Sequence, residues 1–161
     1  MPIYNGHFVE NLSAGGQRPS PTILAALGPI LAVSVSIPQA LAAFNTSQQI
    51  LLPSPITGLA LIDTGATRSC VHAPVMSKLG VNPIGVVTSG TPAGQVLHSL
   101  YPAHFTFPAT NIEIDFTSVV GVDLTGQIIN GQQLIALIGR DVLSVGILVY
   151  NGTAGIFSFA M

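Results

Sequence analysis

Apolar and polar residues alternate with the period of a half-buried strand at several places along the chain. Val33, Val35 and Ile37 alternate with Ser34 and Ser36, Phe105 and Phe107 with His104 and Thr106, and Ile112, Ile114 and Phe116 with Glu113, Asp115 and Thr117. Successive side chains of a strand point to opposite faces, so this pattern predicts sheets with one face on a core. The 17 glycines and 12 prolines fall between short apolar runs, as in a chain that turns often. Two stretches predict short helices. In residues 72–80, Pro74 stands where a first turn tolerates it, Gly80 where a left-handed cap is wanted, and Lys78 near the negative end of the dipole. The second helix runs from Arg140 to about Val145, before Gly146. Beyond it, the apolar runs 147–150 and 155–160 flank Asn151-Gly-Thr-Ala154 as a closing hairpin. No internal repeat stands out.

Residues 1–21 are polar and rich in Gly, Ser and Pro, which predicts a mobile arm ahead of one domain over 22–161. Residues 38–56 form a long connection without an assignable element, a kind of segment that is usually functional or flexible. Residues 22–44 carry no charge and are long enough to span a bilayer. Pro29 and Pro38 interrupt them, and the alternation in between assigns β structure rather than a membrane span. The first residues show no basic start followed by an apolar run, so a cytoplasmic product is expected.

Composition narrows the functions. The chain has 161 residues, a net charge of -2 and 48% hydrophobic residues, which excludes a disordered chain. Its four basic residues, Arg18, Arg68, Lys78 and Arg140, are dispersed, whereas phosphate-backbone binding needs a cluster, so no nucleic-acid partner is expected. The single cysteine, Cys70, excludes an intrachain disulfide and a cysteine-rich zinc site, and its apolar surroundings predict a buried, inert thiol. His7, His72, His98 and His104 lack metal-ligand spacing, so neither a metal nor another cofactor is expected.

The most specific string is Leu59-Ala-Leu-Ile-Asp-Thr-Gly-Ala-Thr67, an apolar strand that runs straight into a carboxylate. Burial disfavours the charged form of an acid, so such a group persists only with hydrogen bonds or a charge partner, and perturbed acids concentrate at functional sites. Gly65 lets the backbone bend close to whatever the acid contacts, and Thr64 supplies a hydroxyl. The tripeptide alone is also an ordinary turn. A second string, Leu134-Ile-Ala-Leu-Ile-Gly-Arg-Asp-Val-Leu143, is another apolar strand that ends at a glycine and opens a short helix.

With these two strings the chain resembles the retroviral-type, or retropepsin-like, aspartic proteases over residues 29–161. The resemblance implies an all-β fold, a closed retropepsin-like β-barrel with one or two short helices. It also implies a catalytic triplet of Asp63, Thr64 and Gly65, with Asp63 as the acid and Thr64 bracing paired loops through its hydroxyl. Gly139 would pack the second strand behind the loop, with Arg140 and Asp141 supporting it. Ala66 and Thr67 would meet substrate, as would Ser89, Gly90 and Thr91 of a flap formed by residues 86–96, although a mere surface hairpin would have the same sequence. The family chemistry needs two carboxylates, and this chain has one Asp-Thr-Gly. In Asp123-Leu-Thr-Gly126 an inserted Leu spoils the geometry, so the second acid is expected from a twofold-related copy in a homodimer.

The expected activity is hydrolysis of peptide bonds in an extended peptide or protein whose side chains enter mostly apolar pockets, with no metal and no covalent intermediate. Retroviral members commonly carry an acid just after the Ala, whereas Thr67 and Arg68 stand here. In place of that acid's contact, Arg68 or Arg140 is expected to pair with Asp141, the alternative being that they reach solvent. The rivals are a catalytically inactive peptide-binding or dimerisation module of the same fold, and a structural β-protein of a larger assembly.

Overall fold

The computed structural model describes residues 1–91 and 94–161, Thr91 by its backbone alone. Three short strands open the chain: β1 (Ile3–His7), β2 (Val9–Asn11) and β3 (Gln17–Pro19). Within residues 1–21, for which the polar composition predicted a mobile arm, the chain forms a hairpin. β2 and β3 pair antiparallel, and Arg18 meets Glu10 across them at 2.6 Å. Ser20 donates to Glu10 at 2.8 Å, and its hydroxyl oxygen accepts the Ile23 amide. That second bond caps α1 (Pro21–Leu27), which has proline in its first turn and Gly28 at a φ of 76° beyond its end.

The chain continues through β4 (Ile30–Ser36), α2 (Gln39–Ser47), β5 (Ile56–Ile62), β6 (Cys70–His72) and α3 (Ala73–Lys78). There follow β7 (Gly85–Thr91), β8 (Gly94–Phe107), β9 (Ile112–Val122), β10 (Ile128–Ile129), β11 (Gln132–Ile138), α4 (Arg140–Leu143), β12 (Ile147–Asn151) and β13 (Ile156–Ala160). Six strands close a barrel in the order β11, β5, β4, β8, β9, β6, with β6 returning to β11. Two of its pairings, β5 with β11 and β6 with β9, are parallel. Parallel neighbours need a long crossover, and most of the barrel lies between β5 and β11 in sequence.

Alternating side chains of β4 and β8 fill the interior: Val33, Val35, Phe105 and Phe107 are at most 1% exposed. Each such side chain contributes about 1.5–3 kcal/mol by leaving water. β13 adds Phe157 and Phe159 to the same core from a second sheet, in which it lies between β1 and β12. Tyr4 of β1 rests against Phe157 with ring centroids 5.7 Å apart.

The fold is thus mostly β with a closed barrel, and among the described residues it has four short helices where one or two were expected. The two additional ones, α1 and α2, occupy much of the stretch read only as strand and connection. α2 buries none of its side chains and so has no apolar stripe to betray it. Its first amide, on Gln39, donates instead to Asp115 of β9 at 3.1 Å. Among the described residues no helix is long and apolar enough to cross a membrane.

Candidate active site

The two specific strings meet. β5 and β11 run side by side in parallel, and at their ends the Asp63 amide donates to the Ile138 carbonyl at 2.9 Å. The chain then turns back on the acid. Asp63 Oδ1 accepts the amides of Gly65 at 2.8 Å and Ala66 at 3.3 Å, so one carboxylate oxygen is fixed by its own turn. Gly65 allows this closeness, since a β-carbon there would lie 3.1 Å from that oxygen. Asp63 is half-buried, and Thr64 beside it is exposed.

Behind the turn, Gly139 sits against the backbone of Arg68 and Ser69; a β-carbon at 139 would fall 2.5 Å from the Arg68 carbonyl carbon. Its amide donates to Ser69 Oγ at 3.0 Å, and that hydroxyl donates in turn to Asp141 Oδ1 at 2.7 Å. Asp141 also accepts the Ser69 and Val142 amides. Ser69 is fully buried, with its hydroxyl engaged as both donor and acceptor. Ser69→Ala would leave the Gly139 amide without a partner and is expected to cost about 1–3 kcal/mol, read from the urea midpoint.

The expected ion pair with Asp141 does not form. Amides and a hydroxyl satisfy that carboxylate, and both arginines turn elsewhere. Arg140 reaches over the turn, donating to the Thr64 carbonyl at 2.8 Å, the Gly65 carbonyl at 3.2 Å and Thr67 Oγ1 at 3.0 Å. Its amide holds the Ala66 carbonyl at 2.9 Å. Arg68 donates to the carbonyl and hydroxyl of Ser118 on β9. Thr67 thus takes part as the hydroxyl partner of a guanidinium.

The hairpin of β7 and β8 stands over this loop, and between them lies an open groove of about 530 Å³. Gly65, Ala66, Thr67, Ser89 and Gly90 line it, whereas Asp63 and Thr64 do not. The hairpin tip at 92–93 and the side chain of Thr91 lie outside the described residues. His98 lines the groove and Ser118 holds Arg68, two contacts that the sequence pattern did not point to. One ring nitrogen of His98 lies 2.8 Å from Ser89 Oγ and the other 3.2 Å from the Gly121 carbonyl, tying the hairpin to β9. The signal available was slight: β8 places His98 opposite Val87, just past the end of the hairpin expected over 86–96.

Cys70 also lines the groove. It is half-buried rather than buried, yet burial and the nearby Asp141 and Asp63 charges push its thiol up to about 11. The thiolate is the reactive form, so at pH 8 alkylation by iodoacetamide is expected to run about 100-fold slower than for an unstructured cysteine. The rate should climb only towards pH 11. A peptide-like rate at pH 8 would contradict this environment.

Among the described residues no group of three His, Cys, Asp or Glu side chains is placed to hold a metal ion. No family model, curated protein or solved structure matches the chain.

Proposed function

We propose that this chain is a retropepsin-like aspartic endopeptidase that hydrolyses extended polypeptide as a homodimer. The observation that carries the reading is Asp63 itself: a carboxylate at the end of a barrel strand, one oxygen held by the Gly65 and Ala66 amides, beside a groove roofed by a hairpin. Two copies of Asp63 about 3 Å apart cannot both ionise and share one proton. The ionised member removes a proton from a water molecule as it attacks the scissile carbonyl, and the protonated member donates to the carbonyl oxygen. The acid that took the proton from water returns it to the nitrogen as the tetrahedral intermediate collapses, releasing the amine with no bond to the enzyme. The pH dependence belongs to the pair rather than to either acid. The exposed Thr64 hydroxyl is available to the partner's loop.

A second reading, a peptide-binding module without turnover, is favoured by the fact that one chain supplies only one such acid. Concentration separates them. Activity per chain on an unfolded polypeptide such as reduced casein is expected to rise with protein concentration, following the dimer fraction measured by sedimentation. Dimers that bind the polypeptide without cutting it would favour the module.

A further inference from the structure

We infer that Arg68 makes this groove select polypeptide bearing an acidic side chain, Glu or Asp, among apolar neighbours. The inference deepens the peptidase reading and rests on it for the orientation of the bound peptide. Arg68 is the one formally charged side chain among the described residues that line the groove, whose wall, apart from the Cys70 thiol and the His98 imidazole, is otherwise small, hydroxylic or aliphatic, with Val87, Val120 and Val122. The chain has only four basic residues, and this one is half-buried. Among the described residues no carboxylate lies within 4.0 Å of its guanidinium. Asp141, the acid expected to neutralise it, is taken up by Ser69 and the Val142 amide.

The guanidinium is nevertheless held in place. Its Nη2 donates to the Ser118 carbonyl at 3.2 Å and to Ser118 Oγ at 2.6 Å. This fixes the fork at the edge of the groove, where Arg68 also borders a second cavity with Asp115, Ser118 and Asp141, and its other N–H groups are left for a ligand. A positioned, partly desolvated cation without a counter-ion is costly, and a carboxylate arriving with the ligand relieves that cost through charge-assisted hydrogen bonds. An extended peptide sends alternate side chains to opposite sides, so one carboxylate can meet Arg68 while its neighbours two residues away meet the valines.

The test digests a proteome-derived peptide library with the full-length protein and sequences the cut bonds. Glu and Asp are expected at one fixed position relative to the cut, enriched about tenfold over Gln and Asn, with the enrichment weakening as salt rises. Arg68→Gln should remove the preference and Arg68→Glu should turn it towards Lys and Arg, an inversion that misfolding cannot produce. Cutting with no acidic preference would overturn the inference and leave the peptidase reading standing. In parallel, fluorescein-labelled nonapeptides of Val, Leu and Ala with a single central Glu or Gln are titrated against Asp63→Asn by anisotropy. If the wild type never cuts but the Glu peptide binds about tenfold tighter, and Arg68→Gln abolishes the difference, the peptidase reading fails and the acidic selectivity stands. Equal binding of the Glu and Gln peptides, with no cutting, would overturn both.

Discussion

Asp63→Asn is expected to lower cleavage of unfolded polypeptide by about 10³-fold or more while leaving the melting temperature almost unchanged. The amide is nearly isosteric with the carboxylate, and its carbonyl oxygen can still accept the Gly65 and Ala66 amides that shape the turn. Only the ability to take a proton from water and share one with a twin acid is removed, and proton transfer by positioned groups contributes about 10²–10⁴-fold to a rate. Circular dichroism and a cleavage assay on the same preparations decide the matter. Equal cleavage by both proteins would reject the aspartic mechanism, and a large fall in melting temperature would show that the side chain serves the fold.

Gly139→Ala is expected to do the opposite, damaging the fold first and the site as a consequence. The new β-carbon would sit 2.5 Å from the Arg68 carbonyl carbon, 2.7 Å from its oxygen and 2.8 Å from the Ser69 nitrogen. These are backbone atoms of a loop stitched to β11 and α4 through Ser69 and Asp141, so no side chain can swing aside to make room. Overpacking of this kind costs about 1–3 kcal/mol where the surroundings can adjust, and here they cannot, so a loss of about 3 kcal/mol or more is expected. For a domain of this size that is a melting temperature lower by ~6 °C or more. A variant that melts with the wild type would mean that the two loops are not in contact.

The sequence signals that proved informative are local ones. Alternation marked β4, β8 and β9 because each residue's face follows from its neighbours, and the junction at Gly139 and the hairpin of β12 and β13 were visible for the same reason. What stayed hidden is set by pairing across the chain. α2 takes its cap from Asp115, far downstream, and Asp115 in turn reads as one more polar position of an alternating strand. The Asp141 carboxylate was expected to need a guanidinium, but the register of β6 with β11 brings the Ser69 amide and hydroxyl to it first. Arg68 finds Ser118 because β6 runs parallel to β9, with Cys70 opposite Val120. Residues 1–21 look unstructured by composition, yet Glu10, Arg18 and Ser20 are the polar groups a tight hairpin and a helix cap require.

The last barrel strand to be made, β11, is hydrogen-bonded to both β5 and β6. During synthesis the Asp63 turn therefore leaves the ribosome well before the segment that secures it, and two sheet edges stay open in the interval. A nascent chain is in that period adhesive and chemically idle. Any chemistry that depends on the Asp63 turn therefore waits until β11 has been made.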